Sequence, residues 1–338
     1  MLFRKRYNEK DGDEVMKIIV GLACGILFVV IGALLIAYIC YRMAFYSPPR
    51  VISEDYVIPE GEIYEPYRDT MVSWIKEVRQ LPKEEVSVTS FDGLTLRGTF
   101  YEFAPGAPIE LMFHGYRGNG ERDLCGGVQR CFALGRSALI VDQRGSGRSE
   151  GSVISFGINE RKDCLTWIGF MIDHFGKDVQ IILTGISMGA ATVLMAGSTE
   201  LPSNVKWILA DCGYTSPKEI IQKVIHEMGL PEKLAYPFVK LGARLFGHFD
   251  LEEASPIDAM KQCTVPVIFF HGACDAFVPC EMSRRNFDAC GSKKKLVTVP
   301  KAGHGLCYLI DGEGYLQALR NFQSSIKLKS EINSGGSI

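Results

Sequence analysis

The chain has 338 residues, 47% of them hydrophobic, and a formal net charge of -2 at pH 7. That length and apolar content suffice for the core of one large domain, and the nearly balanced charge argues against a nucleic-acid partner. The 11 cysteines show no C-x-x-C pair and no metal-ligand spacing. We therefore expect buried free thiols rather than a disulfide framework or a metal site.

The first predicted element is a membrane anchor over Ile18–Tyr41, a stretch without a charged side chain. As a helix it would reach about 36 Å, more than the roughly 30 Å of hydrocarbon in a bilayer. A buried core helix would usually show a polar face, and a cleaved signal peptide would have a shorter apolar region and a small-x-small cleavage site. The pattern therefore predicts one retained transmembrane helix.

The flanks of this helix predict its orientation. Arg42 and Arg50 follow it closely, whereas a larger basic group precedes it, namely Arg4, Lys5, Arg6, Lys10 and Lys17. The positive-inside rule places the tail 1–17 in the cytoplasm and the folded domain outside. Because unpaired cysteines are unusual in an oxidising exterior, either that exterior is weakly oxidising or the orientation is reversed.

Residues 42–83 are predicted to form a linker and a leader helix. Ser47-Pro48-Pro49 interrupts the anchor helix, and helical spacing resumes over Glu62–Leu81 until Pro82 ends it. We expect this leader helix to pack against a sheet. The apolar side that would do so carries Ile63, Tyr67, Met71, Trp74 and Val78.

Residues 84–328 alternate predicted strands with predicted helices. A hairpin signal, Phe91-Asp92-Gly93, joins the first two strands, and later strands are separated mostly by helical spacing. This alternation predicts a doubly wound, mostly parallel, eight-stranded sheet that is covered on both faces. The strands are expected at 85–90, 95–103, 109–113, 137–142, 179–183, 205–210, 265–270 and 295–299.

One stretch, about 213–254, breaks this alternation. It contains two apolar clusters with helical spacing, separated by prolines. Since it is too long for an ordinary connection, we interpret it as a small helical cap over the site. The last residues, 329–338, are predicted to be a disordered tail.

The chemically informative motif is Gly185-Ile186-Ser187-Met188-Gly189. A buried-strand pattern precedes this G-x-S-x-G sequence and a helical pattern follows it, which is the context of a nucleophile elbow. The glycines are needed because side chains two residues either side of Ser187 would collide with the strand or the helix. We predict that Ser187 is a nucleophile.

A second G-x-S-x-G sequence, Gly147–Gly151, has its serine at Ser149. A polar turn precedes it, and no helical pattern follows until about Asn159. Without the strand–turn–helix context, Ser149 is predicted to be a loop residue.

A serine nucleophile needs a base, and the base needs an orienting acid. In a doubly wound sheet both follow the carboxyl ends of strands. Asp275 follows the strand at 265–270, and His304 follows the strand at 295–299. The chain order is then Ser187, Asp275, His304.

Two alternatives stay open at these strand ends. Asp211 also follows the end of a predicted strand, 205–210, and is an alternative candidate for the acid. His271 follows a strand but precedes the proposed acid, so it violates the order of the triad.

Taken in order, these motifs resemble the α/β-hydrolases, in particular the serine aminopeptidase-like and monoacylglycerol lipase-like group and its membrane-anchored bacterial members. The resemblance runs from about Glu84 to the C-terminal helix. It implies the α/β-hydrolase fold and an enzyme that needs neither a metal nor another cofactor. The matching segments are His114-Gly115-Tyr116, Asp142–Gly151, Gly185–Gly189, the Asp275 loop with Val278-Pro279, and the loop of His304.

The resemblance also implies roles for individual residues. Ser187 would be the nucleophile, His304 the general base and then acid, and Asp275 the residue that orients His304. The backbone N–H groups of Tyr116 and Met188 would form the oxyanion hole.

The turn Asp142–Gly151 resembles a structural turn of this family. We also interpret His114 as structural, because most of the six histidines need only a satisfied hydrogen bond. Cys274 and Cys280, which flank the Asp275 loop, depart from the pattern and would be reactive if exposed.

The predicted function is hydrolysis of carboxylic esters with a hydrophobic acyl or lipid-like group, through an acyl-enzyme intermediate. The expected partners are a small-molecule ester or lipid and, through the N-terminal helix, a membrane. A serine aminopeptidase is the nearest alternative, and it would need an acidic cap residue such as Glu219, Glu227 or Glu232 to hold a substrate amine. A catalytically silent binding or scaffold domain is an alternative of another class.

Overall fold

The computed structural model describes residues 2–48 and 55–334, so Met1, the linker positions 49–54 and the tail positions 335–338 lie outside the described residues. An eight-stranded sheet with the order β1-β2-β4-β3-β5-β6-β7-β8 forms the centre. Its strands are β1 (Glu84–Thr89), β2 (Thr95–Tyr101), β3 (Ile109–Phe113), β4 (Ser137–Asp142), β5 (Ile181–Ile186), β6 (Val205–Asp211), β7 (Val267–Gly272) and β8 (Lys294–Val299).

Strand β2 is antiparallel to both β1 and β4, whereas every pairing from β4–β3 to β7–β8 is parallel. The predicted fold class, a mostly parallel eight-stranded sheet of the α/β-hydrolase type, is thereby confirmed. Parallel strands place their carboxyl ends at one edge, and the loops that follow β3, β5, β7 and β8 meet there.

The described residues form long and short helices, and several of these cover the two faces of the sheet. The helices are α1 (Leu2–Ala44), α2 (Arg68–Gln80), α3 (Gly120–Ala133), α4 (Glu160–Phe175), α5 (Met188–Ala196), α6 (Pro217–Glu227), α7 (Glu232–Phe246), α8 (Pro256–Gln262), α9 (Cys280–Ala289), α10 (Cys307–Ile310) and α11 (Gly312–Ser334). Because of this cover, β3, β4 and β7 are buried at every position.

Successive strand residues enter different cores, as the two-residue period of a strand requires. Leu111 and Leu183 lie in the core with α4 and α5. Their neighbours Met112 and Ile182 face the other side, where side chains of α3 and α11 pack.

The leader helix α2 packs mainly against α3. Its buried residues Ile75 and Val78 join a cluster that contains side chains of α3 and of strands β2, β3 and β4. The Trp74 ring lies on Gly126 of α3, where an added methyl would come 2.6 Å from the ring. Ile63, expected on the packed side, is 48% exposed.

The N-terminal helix α1 extends beyond the predicted anchor 18–41 at both ends. Its part Gly12–Ala44 is long and apolar enough to cross a membrane, and none of its most apolar stretch is buried within the protein. Its last turns and the residue that follows them do pack against the domain, through the buried side chains of Ala37, Tyr41 and Phe45.

The predicted cap region contains α6 and α7. Helix α7 lies along the last turns of α1, and Gly242 touches the α1 backbone so closely that a methyl there would come 2.4 Å from the carbonyl oxygen of Ala37. Such close contact between small residues is common where two helices pack in or near a membrane.

Two further sequence-based expectations concern the tail and the cysteines. The tail was predicted to be disordered from 329, whereas α11 continues to Ser334 and the rest of the tail, 335–338, lies outside the described residues. All 11 cysteines are free thiols and most of them are buried, as predicted.

Candidate active site

The bend between β5 and α5 holds Ser187 in a strained conformation, with φ 56° and ψ -116°. Two close backbone contacts on either side of it leave no space for a side chain. A methyl on Gly185 would lie 2.1 Å from the carbonyl oxygen of Gly189, and one on Gly189 would lie 2.0 Å from that of Phe113. The glycines of the motif therefore have the steric role expected of an elbow.

The three predicted triad residues form one chain of hydrogen bonds. His304 Nε2 lies 2.9 Å from Ser187 Oγ, and His304 Nδ1 lies 2.7 Å from Asp275 Oδ2. With Nδ1 protonated and bonded to the carboxylate, Nε2 faces the serine with a free lone pair. The arrangement suits proton transfer from Ser187 to His304.

Asp275 is held by four donors. Its Oδ1 accepts from the backbone N–H groups of Phe277 and Val278 at 2.9 and 2.8 Å. Its Oδ2 accepts from His304 and from His271 Nε2, the latter at 3.2 Å. Burial alone would raise the pKa of Asp275, but these hydrogen bonds outweigh it and hold the pKa well below its usual range.

His271 is thus not a rival base but a neighbour of the acid. It is fully buried, its Nε2 also contacts the carbonyl oxygen of Val278 at 2.8 Å, and its Nδ1 lies 2.6 Å from Ser283 Oγ. Neither ring nitrogen is directed at Ser187.

The loop after β3 brings Gly115 and Tyr116 beside the serine. A methyl on Gly115 would lie 3.6 Å from Ser187 Cβ, and the N–H of Gly115 donates to Asp123 Oδ2 at 3.0 Å. Tyr116 lines the same cavity as Ser187. Met188 is the first residue of α5, so its N–H belongs to the free donors at a helix N-terminus.

The second G-x-S-x-G serine is used for structure. Ser149 Oγ donates to the carbonyl oxygen of Asp142 at 2.5 Å and accepts from the N–H of Arg97 at 2.9 Å, which ties this turn to β2. His114 is fully buried, and its Nε2 accepts from the N–H of Gln143 at 3.0 Å. Both residues have the structural environment that the sequence predicts.

Asp211, the alternative acid, is bonded elsewhere. Its Oδ2 accepts from the hydroxyl of Tyr315 at 3.1 Å, and complete burial raises the pKa of its carboxyl group. His304 Nδ1 is already bonded to Asp275. The geometry therefore favours Asp275 as the orienting acid.

A buried cysteine, Cys212, lies next to the triad and was not singled out in the sequence. In the part of the chain that the structure describes, it forms with Asp275 and His304 a group of potential ligand atoms within 4.8 Å of one another. Burial raises the pKa of the Cys212 thiol well above its usual value, and the other two side chains are bonded to each other. The hydrogen-bonded pair of Asp275 and His304, beside a protonated thiol, fits proton transfer better than metal binding.

The site opens into a cavity of about 810 Å³. Its walls come largely from the leader segment, α2, α3 and α10, including Ile63, Tyr64, Trp74, Leu124, Ile186 and Tyr308. None of the residues that line it, among those the structure describes, comes from 213–254, because α7 packs on α1 instead. The predicted cap thus lies beside this cavity.

Sequence reasoning missed the part played by Tyr64. Its hydroxyl donates to the backbone carbonyl oxygen of His304 at 3.0 Å. The helical spacing of the leader segment predicted that it packs on the domain. No sequence pattern predicted that Tyr64 contacts His304, which lies 240 positions further along the chain.

Comparison with known proteins agrees with this geometry. Residues 111–244 match the family model described as the alpha/beta hydrolase fold. YqkD of Bacillus subtilis is 24% identical over 59% of this chain and 65% of its own, and bem46 of Schizosaccharomyces pombe is 29% identical over 64% and 67%. The matched part thus spans about two thirds of each relative.

Among solved structures, the esterase Pf2001 of Pyrococcus furiosus superposes with a TM-score of 0.62 and 20% identity, covering 83% of this chain and 98% of that one. At this identity the likeness concerns the fold. With the match of 111–244 to the family model, the strand order and the elbow between β5 and α5, it shows that the chain has the α/β-hydrolase fold.

Proposed function

We propose that the protein is a serine hydrolase that cleaves carboxylic esters through an acyl-enzyme intermediate. The observation that carries this proposal is the hydrogen-bonded series Ser187–His304–Asp275, with distances of 2.9 and 2.7 Å. Such a series supplies a nucleophile, a base and an orienting acid at one point. The strained elbow holds the hydroxyl at the cavity wall.

The reaction follows from these positions. As Ser187 Oγ bonds to the carbonyl carbon, its proton moves to His304 Nε2. The tetrahedral intermediate then breaks its bond to the alcohol oxygen, which takes the proton from His304 and leaves. Water next gives a proton to His304 while its oxygen attacks the acyl carbon, and Ser187 regains its proton as the acid departs.

Negative charge on the carbonyl oxygen would be stabilised by the backbone N–H groups of Tyr116 and Met188. Helix α5 begins at Met188, so its positive dipole end adds to the hydrogen bond. Losing one such donor typically costs about 3 kcal/mol of activation free energy.

The cavity favours a substrate with an apolar group. Ile63, Met71, Trp74, Leu124 and Leu309 contribute apolar wall beside Ser187. A volume of about 810 Å³ accommodates a medium-sized acyl or aryl ester. The esterase named among the structural relatives agrees with this class of substrate.

The aminopeptidase alternative loses the acidic residues first suggested for it. Glu219 is paired with Arg285 and Glu227 with Lys223, and neither lines the cavity. Glu232 is bonded to His226, and it does not line the cavity either. Amine recognition would instead have to use an acidic residue of the cavity wall, which carries Glu60, Glu62, Asp123 and Asp211.

A silent scaffold is the weaker alternative. A domain without turnover has no need for Ser187 in strained backbone geometry, yet that strain is present beside an aligned histidine.

We further propose that α1 anchors the enzyme in a membrane, with residues 1–17 in the cytoplasm and the hydrolase domain outside. The apolar part of α1 and the basic residues before it support this orientation. The buried cysteines are compatible with an oxidising exterior, because burial raises the pKa of Cys125, Cys131 and Cys164 and keeps these thiols unreactive. Cys274, in contrast, is exposed.

The proposed function is tested by labelling the full chain with a fluorophosphonate probe. Wild type and Ser149→Ala should be labelled, whereas Ser187→Ala should not. Labelling that survives in Ser187→Ala and disappears in Ser149→Ala, with both variants folded, would reverse the assignment. Turnover of p-nitrophenyl esters but not of aminoacyl amides would then favour the esterase over the peptidase.

A further inference from the structure

The C-terminal end of α1 is joined to the loop that carries Tyr116. The hydroxyl of Tyr116 donates to the carbonyl oxygen of Ala44 at 2.7 Å. The guanidinium group of Arg117 donates to the carbonyl oxygens of Met43 and Tyr46, at 2.8 and 3.2 Å. Two consecutive residues of the active-site loop thus bind three carbonyl groups at the end of the N-terminal helix.

These carbonyl groups are strong acceptors. The last carbonyls of a helix have no partner within the helix, and they carry the negative end of its dipole. A cationic donor such as Arg117 is favoured there. The carbonyl groups at the helix end and the cationic side chain of Arg117 therefore satisfy each other's hydrogen-bonding and charge requirements.

Buried aromatic side chains hold the same junction. Phe45 is fully buried and packs edge-to-face against Phe156 and Phe249, with ring centroids 5.8 and 5.2 Å apart. Phe156 in turn lies 5.0 Å from the Tyr116 ring. The N–H of Ile154 donates to the carbonyl oxygen of Phe45 at 2.8 Å.

The loop itself needs such support. Arg117 has a φ of 54°, an unfavourable conformation for a residue with a side chain, so surrounding contacts must maintain it. The backbone N–H of its neighbour Tyr116 is the proposed oxyanion donor. Tyr116 and Ser187 line the same cavity.

We propose that the end of the anchor helix, Met43–Tyr46, is a positioning element of the active site, and that it acts through Tyr116 and Arg117. The inference rests on the proposed function, because it gives Tyr116 N–H the oxyanion role. In this proposal, helix α1 supports the geometry of the active site in addition to attaching the protein to a membrane. Turnover then depends on the docking of α1 as well as on the triad.

The expected effect is on the chemical step. Tyr116→Phe keeps the backbone N–H and the ring but removes the bond to Ala44, and Phe45→Leu loosens the end of α1. Because small displacements of a catalytic donor are costly, each variant should lower kcat about tenfold while KM changes less than about twofold. Tyr236→Phe, which removes a hydroxyl bonded to Glu252 on the cap, is the matched control and should leave both constants unchanged.

A double-mutant cycle in the full chain provides the test. If both changes act through one docking contact, the double variant should be no slower than the slower single variant. Multiplicative losses, or kcat values for Tyr116→Phe and Phe45→Leu within about twofold of wild type, would overturn the inference. Thermal unfolding of each variant separates lost docking from lost folding, and Tyr116→Phe alone decides if Phe45→Leu does not fold.

The same assays separate this inference from the proposed function. If Ser187→Ala retains ester turnover, the proposed function fails. If Ser187→Ala is inactive and the junction variants are unimpaired, only the role of the anchor helix fails.

Discussion

Tyr64 donates a hydrogen bond from its hydroxyl to the backbone carbonyl oxygen of His304 at 3.0 Å. The leader segment therefore holds the loop that carries the proposed base. It also forms one wall of the cavity. The segment between anchor and domain is therefore part of the candidate active site, rather than a spacer.

Removing that hydroxyl should impair turnover without unfolding the protein. For Tyr64→Phe we expect a loss of about 1 kcal/mol of stability and a several-fold lower kcat, because His304 loses one constraint on its loop. Steady-state kinetics and thermal unfolding measure the two effects. Tyr56→Phe, at an exposed position in the same segment, is the control. Equal kcat values for the two variants would refute a role for Tyr64.

The two candidate acids can be separated by isosteric substitution. Asp275→Asn should lower kcat by roughly 10⁴-fold, because the amide no longer supports the required tautomer of His304. Asp211→Asn should keep most of the activity, since this residue is bonded to Tyr315 rather than to His304. Ester turnover by the two full-length variants gives the comparison. The reverse ranking would make Asp211 the acid.

A methyl group added at Gly185 of the elbow should lower activity and stability far more than a methyl group added at an exposed helix position. In Gly185→Ala the new carbon would lie 2.1 Å from the carbonyl oxygen of Gly189, so the bend must open, and we expect loss of both activity and stability. Gly169→Ala is the matched control, because nothing lies within 4 Å of its added methyl and it sits in α4. There we expect a gain of up to about 1 kcal/mol. Activity near wild type in Gly185→Ala would show that the bend is less tight than described.

Acid stability should depend on Glu110, a fully buried carboxylate paired with Arg130 and Arg136. Burial would raise its pKa, but the two guanidinium groups outweigh burial and lower it from 4.5 to about 2. Because the folded-state pKa lies below the ordinary one, the stabilisation is fully present above pH 4.5 and is lost as the pH falls towards about 2.

Glu110→Gln tests this dependence. It leaves two buried cations without a counter-charge, so we expect about 3–5 kcal/mol of destabilisation at neutral pH. Its unfolding free energy should also vary less than that of wild type in the acid range. Denaturant unfolding between pH 7 and pH 2 would show this. Parallel curves for the two proteins would contradict the assignment.

Cys274 offers a direct test of orientation, because it is an exposed thiol on the loop before Asp275. If the hydrolase domain lies outside the cell, a membrane-impermeant maleimide should label intact cells. Labelling should fall in Cys274→Ser. Labelling that requires lysis in the wild type would place the domain in the cytoplasm.

The motif order, the strand pattern and the apolar helix were evident from the sequence, because each arises from local rules. Short apolar runs bounded by turn residues identify buried strands, and glycines two residues either side of a serine identify a tight bend. Since parallel strands end at a common edge, the sequence also indicated which loops would meet. Ser187, Asp275 and His304 could therefore be nominated together.

Only the tertiary structure decided how distant segments meet. The contact of Tyr64 with His304, the junction of Ala44 with Tyr116, and the packing of α7 on α1 all join parts of the chain that share no local pattern. The cavity wall likewise comes from the leader rather than from the predicted cap. Such contacts depend on how complementary surfaces fit together, and periodicity along one segment does not specify its partner.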